Sequence, residues 1–240
     1  MAETLAPKPS GTMHTTWTPL GKFVADAPLD PAIVKAADVY SDLLPKLPPN
    51  SIQRIYAHWT VGHYGQDFPD YNGSVRFDGE HFHLDMPGDP SDNAIGFNDK
   101  PPHSHTFRRN TGAFGIATDD MLFANEHDFG PEPLTLQTLE YLCAGIGAVA
   151  ARYGIDLHGV SANGPYAGEP TMFTHAEAAN HRGNPAQYDN YFVTGERWDL
   201  ATFVALPQDV TLTSAHATTC GAALRQRSAL YKVALIRSIE

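Results

Sequence analysis

The sequence predicts an α/β domain in which a central mixed β-sheet is flanked by helices. A run at 52–59 is rich in β-branched and aromatic residues, as buried strands are, and further strand candidates occur at 79–85 and 113–118. In other segments apolar residues recur every three or four positions, which is the helical period. Strands and helices do not alternate strictly, and no G-x-G-x-x-G segment follows a strand. A doubly wound dinucleotide-binding fold is therefore not expected.

Three helices are predicted from the spacing of apolar residues. The first spans 30–45, with Asp30 as its N-cap. The second and clearest begins after Thr135, a candidate N-cap, and ends at Gly154, where the chain would leave the helix. The third covers 222–239 near the end of the chain.

Composition and charge bound the class of protein. The chain has 240 residues, 42 % of them hydrophobic, which is typical of a globular protein. Its length suits one sizeable domain with extensions, or at most two small domains. The net charge of −11 argues against a general nucleic-acid binder, because no excess of cations is available to replace counterions on phosphate.

Cysteine content and the N-terminus suggest where the protein is made. Cys143 and Cys220 are the only cysteines, too few for a disulfide framework or a cysteine-based structural zinc site. Cys143 lies in a helical apolar pattern and is interpreted as a core thiol, although one bridge between the two remains possible. No basic start leads into an apolar run, and no apolar stretch is long enough to span a membrane. Synthesis in the cytoplasm without a signal peptide is expected.

Two histidines and an aspartate are candidate metal ligands. His58 lies near the end of a predicted strand, His175 follows the strand-like segment 172–174, and Asp199 follows Trp198. Neutral imidazole and carboxylate are zinc ligands, and three such ligands plus water make an open catalytic site. The candidates are 117 and 24 residues apart, so the fold would have to assemble them. Alternatively, His58 is a hydrogen-bonded core histidine and Asp199 is a helix N-cap.

Four segments, in order along the chain, resemble the zinc-dependent N-acetylmuramoyl-L-alanine amidases of the amidase-2 type. That family includes phage endolysins and peptidoglycan recognition proteins. The resemblance covers about residues 51–205, with a long helix between the third and fourth segments. The segments are RIYAHWTVG (54–62), GEHFHLD (79–85), HSHTFRRNTGAFGIAT (103–118) and THAEAA with GERWDL (174–179 and 195–200).

The resemblance implies a zinc site and a cationic catalytic residue. His58 matches the family's first metal histidine, His175 matches the second, and Asp199 matches the third ligand. A basic residue, commonly Lys, stands two positions before that third ligand and is implicated in stabilising the transition state. Here the residue is Arg197, which keeps the charge but adds a planar donor fork.

The acid–base residue is less directly matched. Some relatives carry a catalytic Glu directly after an "IGI" segment, where this chain has Ala117. Glu80 stands where many relatives have a Tyr close to the metal, and is therefore expected to act as general base; alternatively it is a solvent-facing strand residue. His105 and Asn110 are expected to line the substrate groove, or else are polar loop residues without a contact.

The implied function is hydrolysis of the amide bond between N-acetylmuramic acid and L-alanine by a zinc-activated water. The protein would act as a phage-type endolysin or a secreted antibacterial effector that degrades the cell wall. Two alternatives remain: a non-catalytic peptidoglycan-binding module, and an amidase of soluble muropeptides in wall recycling. Recognition proteins that only bind peptidoglycan characteristically lack part of the metal triad, so retention of all three positions favours an enzyme.

The resemblance also suggests a domain organisation and partners. Residues 1–50 are expected to be an extension with an extended arm and one helix, 51–205 the zinc amidase domain, and 206–240 a helical extension. Bacterial peptidoglycan is the expected partner of a monomeric protein that reaches the wall after cell release or by non-classical export. The basic C-terminal helix is expected either to contact anionic membrane weakly or simply to pack on the domain. Its cations are Arg225, Arg227, Lys232 and Arg237.

Overall fold

The computed structural model describes residues 27–66, 68–96, 101–106, 109–161, 168–180 and 198–237. Most of the expected N-terminal arm lies outside these ranges. The strands are β1 (Arg54–Trp59), β2 (Gly73–Phe77), β3 (Phe82–Asp85), β4 (Ala113–Thr118) and β5 (Met172–Thr174). The helices are α1 (Pro31–Leu43), α2 (Leu136–Tyr153), α3 (His175–Asn180) and α4 (Ser214–Arg237), with a short 3₁₀ helix at Pro90–Asn93.

The strands form one five-stranded sheet in the order β3-β2-β4-β1-β5. β1 pairs in parallel with β4 and β5, and β2 pairs in parallel with β4. β3 is antiparallel to β2, so the sheet is mixed. The predicted α/β class, a mixed sheet flanked by helices, is therefore confirmed. The carboxyl ends of the four parallel strands meet at one edge of the sheet.

Alternation along β1 assigns its side chains to two faces of the sheet. Ile55, Ala57 and Trp59 belong to the large hydrophobic core that α2 covers. Tyr56 belongs to a separate small cluster, and His58 shares its face because the two residues are two positions apart. All six residues of β1 are buried, so polar side chains on this second face must find partners within the protein.

α4 packs across α2 at a point where α2 has a glycine. A Cβ atom built on Gly147 would lie 2.8 Å from Cβ of Tyr231 and 2.9 Å from the carbonyl oxygen of Ser228. Any larger residue would force the two helices apart. The helix begins at Ser214, eight residues before the predicted start. The apolar periodicity of its first half is weak, but Gly221 packs directly against Glu177 of α3 and Arg225 pairs with the same carboxylate, and such tertiary contacts stabilise a helix.

Several local predictions are confirmed. Asp30 caps α1, its Oδ1 accepting the amide hydrogen of Ala32 at 2.8 Å. Thr135 caps α2, and Gly154 ends it in the left-handed conformation with φ of 70°. Both cysteines, Cys143 and Cys220, are buried free thiols.

The sequence reading missed β2 and overextended β3. The GSVRF segment of β2 lies among residues typical of turns, and its strand conformation depends on pairing with β4 and β3 rather than on intrinsic propensity. Residues 79–81 form the turn between β2 and β3 instead of extending the strand. In that turn Asp78 accepts the backbone amide hydrogens of Glu80 and His81 at 2.9 and 2.7 Å.

The cations of α4 mostly face the protein rather than solvent. Arg225 pairs with Glu177, Arg227 pairs with Glu140, and the ammonium of Lys232 donates to the carbonyl of Ile155 at 2.7 Å. These three cations therefore pack on the domain, and contact of the helix with a membrane stays a prediction. Within the described residues, no helix combines the length and apolarity that a transmembrane span requires.

Asp120 is a fully buried carboxyl just beyond the end of β4. Burial raises its pKa to about 8, against the opposing hydrogen bond from Thr118 and with help from the neighbouring Asp119. The side chain is therefore protonated at neutral pH, when a carboxyl in the unfolded chain has already lost its proton. Between these two pKa values the folded state binds more protons, so the free energy of unfolding falls as pH rises.

We expect Asp120→Asn to remove this part of the pH dependence. An amide mimics the neutral carboxyl, and its oxygen can still accept from Thr118 Oγ1, which lies 2.8 Å from Asp120 Oδ1. The wild type should lose stability relative to the variant by up to about 1.4 kcal/mol per pH unit between pH 5 and 8, and no further above that range. Chemical denaturation of both proteins across this range measures the difference. Parallel stability curves would show that Asp120 is ionised in the folded protein.

Candidate metal centre

Two neighbouring parallel strands deliver the two candidate histidines to one edge of the sheet. His58 is the penultimate residue of β1, and His175 follows the last residue of β5 directly as the first residue of α3. Ala57 is paired with Thr174. His58 directly follows Ala57, and His175 directly follows Thr174. The register of one strand pair therefore places two imidazoles, remote in sequence, side by side.

Asp199 completes the group from a separate loop. Its carbonyl oxygen accepts the amide hydrogen of Ala176 at 3.3 Å, which ties the loop to the first turn of α3. The preceding residue, Trp198, packs edge-on against Trp59 of β1 with ring centroids 4.6 Å apart. Leu200, the following residue, is fully buried and has a φ of 59°, a left-handed conformation that is strained for leucine. The loop is thus held in place on both sides of Asp199.

Three ligand atoms converge in this group. Nδ1 of His58 lies 3.1 Å from Nδ1 of His175 and 3.3 Å from Oδ2 of Asp199. Nδ1 of His175 lies 2.9 Å from the same Oδ2. All three residues are buried, with His58 fully enclosed. The group can hold a metal ion, and it is the only such cluster of His, Cys, Asp or Glu found among the described residues.

The two histidines keep the Asp199 carboxyl ionised. Burial alone would raise its pKa, but the charge and hydrogen bond of His175, followed by those of His58, outweigh burial. The pKa of Asp199 is consequently held well below its usual range. An ionised carboxylate is the form in which Asp199 could hold a cation.

A buried ion pair behind the cluster anchors the helix that carries His175. Glu177 accepts two hydrogen bonds from Arg225 of α4, each at 2.9 Å. Its Oε2 also accepts the amide hydrogen of Thr174, and Thr174 Oγ1 accepts the amide hydrogen of Glu177. Sequence reasoning assigned no role to Glu177, although Thr followed by Glu three positions later is the signature of a capping box. No sequence signal pointed to Arg225 as its partner.

A tyrosine that sequence reasoning did not identify also contacts the cluster. The half-buried ring of Tyr71, just before β2, packs against His58 with centroids 5.1 Å apart. It stacks against His105 with centroids 6.5 Å apart. Tyr71 lies 13 residues after His58 and 34 residues before His105, so no helical or strand spacing would have paired it with them.

The remaining predicted site residues have different outcomes. Arg197 lies outside the described residues. Glu80 lies in the exposed turn before β3, with 84 % of its side chain accessible. Since β3 is three strands from β1, roughly 14 Å of sheet separates them. The structure therefore does not bring Glu80 to the candidate metal ligands and gives no support to its role as general base.

Ala117, which stands where some relatives carry a catalytic Glu, does lie beside His58 in the β1–β4 register, but it has no titratable group.

His105 and Asn110, expected in the substrate groove, both have contacts within the protein, and their place in a groove stays a prediction. His105 is 5 % exposed, and its ring lies against that of His58 with centroids 5.4 Å apart. The side-chain oxygen of Asn110 accepts the amide hydrogen of Thr106 at 2.8 Å. Both residues therefore help to hold the loop before β4.

We expect Arg225→Met to destabilise the protein by about 3–5 kcal/mol, because it leaves the buried Glu177 carboxylate without its counter-ion. The double variant Glu177→Gln/Arg225→Met should recover part of that loss, since the glutamine is neutral and can still accept from Thr174. Free energies of unfolding from chemical denaturation measure both. Arg237→Met, an exposed arginine on the same helix, is the matched control and should cost less than about 0.5 kcal/mol. Equal costs for the two arginines would contradict a structural role for the pair.

No family model matches this chain, and neither a curated protein nor a solved structure matches it. The relation to amidase-2 enzymes therefore stays a resemblance of four segments. What distinguishes the site is its own geometry, a buried His58–His175–Asp199 group at the carboxyl edge of parallel strands.

Proposed function

We propose that the protein is a zinc-dependent peptidoglycan amidase that cleaves the amide bond between N-acetylmuramic acid and L-alanine. The observation that carries this proposal is the convergence of His58, His175 and Asp199 within 3.3 Å of one another. Each comes from the segment in which the resembling amidases carry a zinc ligand. Three such residues that are remote in sequence would rarely converge in the expected roles by chance.

The donor set supports zinc as the metal. A tetrahedral zinc ion with bonds of 2.0–2.1 Å holds neighbouring ligand atoms roughly 3.3–3.4 Å apart. The three observed separations, 2.9–3.3 Å, are close to this value. The group contains no fourth His, Cys, Asp or Glu among the described residues, as expected when one coordination position is left for water or substrate. When bound in such a site, zinc lowers the pKa of water towards about 7 and polarises a carbonyl group.

The protein side chains divide the remaining work. His58 and His175 are neutral when they present Nδ1 as a ligand, so Asp199 supplies the only negative charge of the set. With one carboxylate among its three ligands, the His58–His175–Asp199 set would leave a divalent ion with a net positive charge, which would favour the oxygen that becomes negative at the scissile carbonyl. Arg197, two residues before Asp199 in the chain, is proposed to add a second positive charge for that oxygen. Its guanidinium stays cationic across the whole physiological pH range.

The experiment that tests the proposal is digestion of isolated sacculi. The purified protein is incubated with chelator, and then with zinc added back, and the products are identified by mass spectrometry. We expect free stem peptides that begin with L-alanine, lost with chelator and restored by zinc. Metal-dependent binding without product would indicate a peptidoglycan-binding module. Product from soluble muropeptides alone would indicate an enzyme of wall recycling.

We expect His58→Ala and Asp199→Asn to lower both zinc content and amidase rate. Removing one of three ligands takes away the metal and with it several kcal/mol of transition-state stabilisation, so the rate should fall at least about 100-fold. Zinc content by elemental analysis and product release from sacculi are measured together.

His158→Ala is the matched control for these ligand variants. His158 is exposed in the loop after α2, on the opposite edge of the sheet from the cluster. Its variant should keep zinc and activity. Normal zinc content in His58→Ala would mean that the site has been assigned to the wrong residues.

A further inference from the structure

The orientation of His58 is defined at both ring nitrogens. Nδ1 faces His175 and Asp199, as a metal ligand must. Nε2, on the other side of the ring, lies 3.3 Å from Oγ1 of Thr106. An imidazole that ligates through Nδ1 carries its proton on Nε2, and this proton needs an acceptor because His58 is fully buried.

The hydroxyl of Thr106 can serve both histidines of this face. It lies 3.1 Å from Nδ1 of His105 as well as 3.3 Å from Nε2 of His58. A hydroxyl has one hydrogen to donate and lone pairs to accept. When Thr106 accepts from His58, its own hydrogen is free to be donated to His105. In that arrangement none of the three side chains carries a charge, and His105 keeps its own ring proton on Nε2.

The backbone around Thr106 is held by side chains of its own loop. The oxygen of Asn110 accepts the Thr106 amide hydrogen at 2.8 Å, and the Thr106 carbonyl accepts from the Arg109 amide at 3.1 Å. The side-chain amide of buried Asn93 donates to the Asn110 carbonyl at 3.0 Å and to the His103 carbonyl at 3.3 Å. The loop is thereby anchored on both sides of Thr106.

The sheet leaves a space in which His105 can lie close to β4. A Cβ atom built on Gly115 would be 2.4 Å from Cγ and Cδ2 of the His105 ring. Only glycine allows this approach. The loop can therefore bring His105, and with it Thr106, down onto the face that carries His58.

We propose that Thr106 is a positioning residue whose hydroxyl, oriented by His105, accepts the Nε2 proton of His58 and so fixes its Nδ1 for metal binding. The inference rests on the proposed zinc site. It assigns a function to the long loop before β4 that differs from lining a substrate groove. Hydrogen bonds of this kind to the free nitrogen of a metal-bound histidine are typically worth 10–100-fold in metal affinity.

The test compares Thr106→Val, which replaces the hydroxyl with a methyl group of similar size, with Thr106→Ser, which keeps it. Zinc dissociation constants are measured by competition with a chromophoric chelator. We expect Thr106→Val to bind zinc about 10–100-fold more weakly and Thr106→Ser to stay within about threefold of the wild type. Thr171→Val removes a buried hydroxyl that donates to the carbonyl of Asp156, far from the cluster, and should leave zinc affinity unchanged.

A second measurement does not depend on how well a variant folds. In the zinc-loaded wild type, the Nε2 proton of His58 should be visible by NMR as a slowly exchanging imidazole signal. It should persist in Thr106→Ser and in Thr171→Val but be lost or shifted in Thr106→Val, whereas general destabilisation would affect both valine variants. A freely exchanging proton in the wild type, equal affinities in all variants, or equal losses in Thr106→Val and Thr171→Val would overturn the inference. Failure of the wild type to bind zinc would instead overturn the proposed function.

Discussion

The parallel pairing of β1 with β5 is the constraint on which the site depends. Ala57 lies opposite Thr174, so the strands deliver His58 and His175 to the same edge, one position further along. A slip of one residue would turn one imidazole to the other face of the sheet. The pairing is short, because β5 has only three residues. Its register must therefore be supported by contacts outside the ladder.

Those supports act on the cluster from two directions. On one side, the loop before β4 brings Thr106 to the outer nitrogen of His58. On the other, Arg225 of α4 pairs with Glu177 in the helix that His175 begins. Burying polar groups stabilises a fold only when each finds a partner. The hydrogen bonds and the ion pair around the cluster therefore do two things. They offset the free energy lost when polar groups are buried, and they fix the positions of the buried side chains.

The sequence predicts the candidate metal ligands better than it predicts the residues that hold those ligands in position. Imidazole and carboxylate are suitable metal ligands, but it is the resemblance to amidase-2 segments that singles out His58, His175 and Asp199 among the other histidines and acids. The residues that hold these side chains in place are ordinary ones whose role depends on long-range packing. Glu177, for example, depends on Arg225, which lies 48 positions later in α4. Glu80 is the converse case, a suitable side chain in a matching segment that the β2–β3 turn exposes to solvent. Local patterns record chemistry and capping, whereas contacts between distant segments follow only from the fold.

The contacts of α4 bear on where the functional unit begins and ends. The resemblance covers 51–205, but Arg225 lies beyond that range and anchors the helix that carries the candidate metal ligand His175. Arg227, two residues later, pairs with Glu140 of α2 and donates to the carbonyl of Ala27, before α1. One stretch of α4 thus joins the N-terminal extension, the central helix and the metal centre. A segment that preserved only the resembling region would keep all three ligands but lose the arginine behind His175. For this reason the metal centre is better regarded as a property of the whole described fold than of residues 51–205.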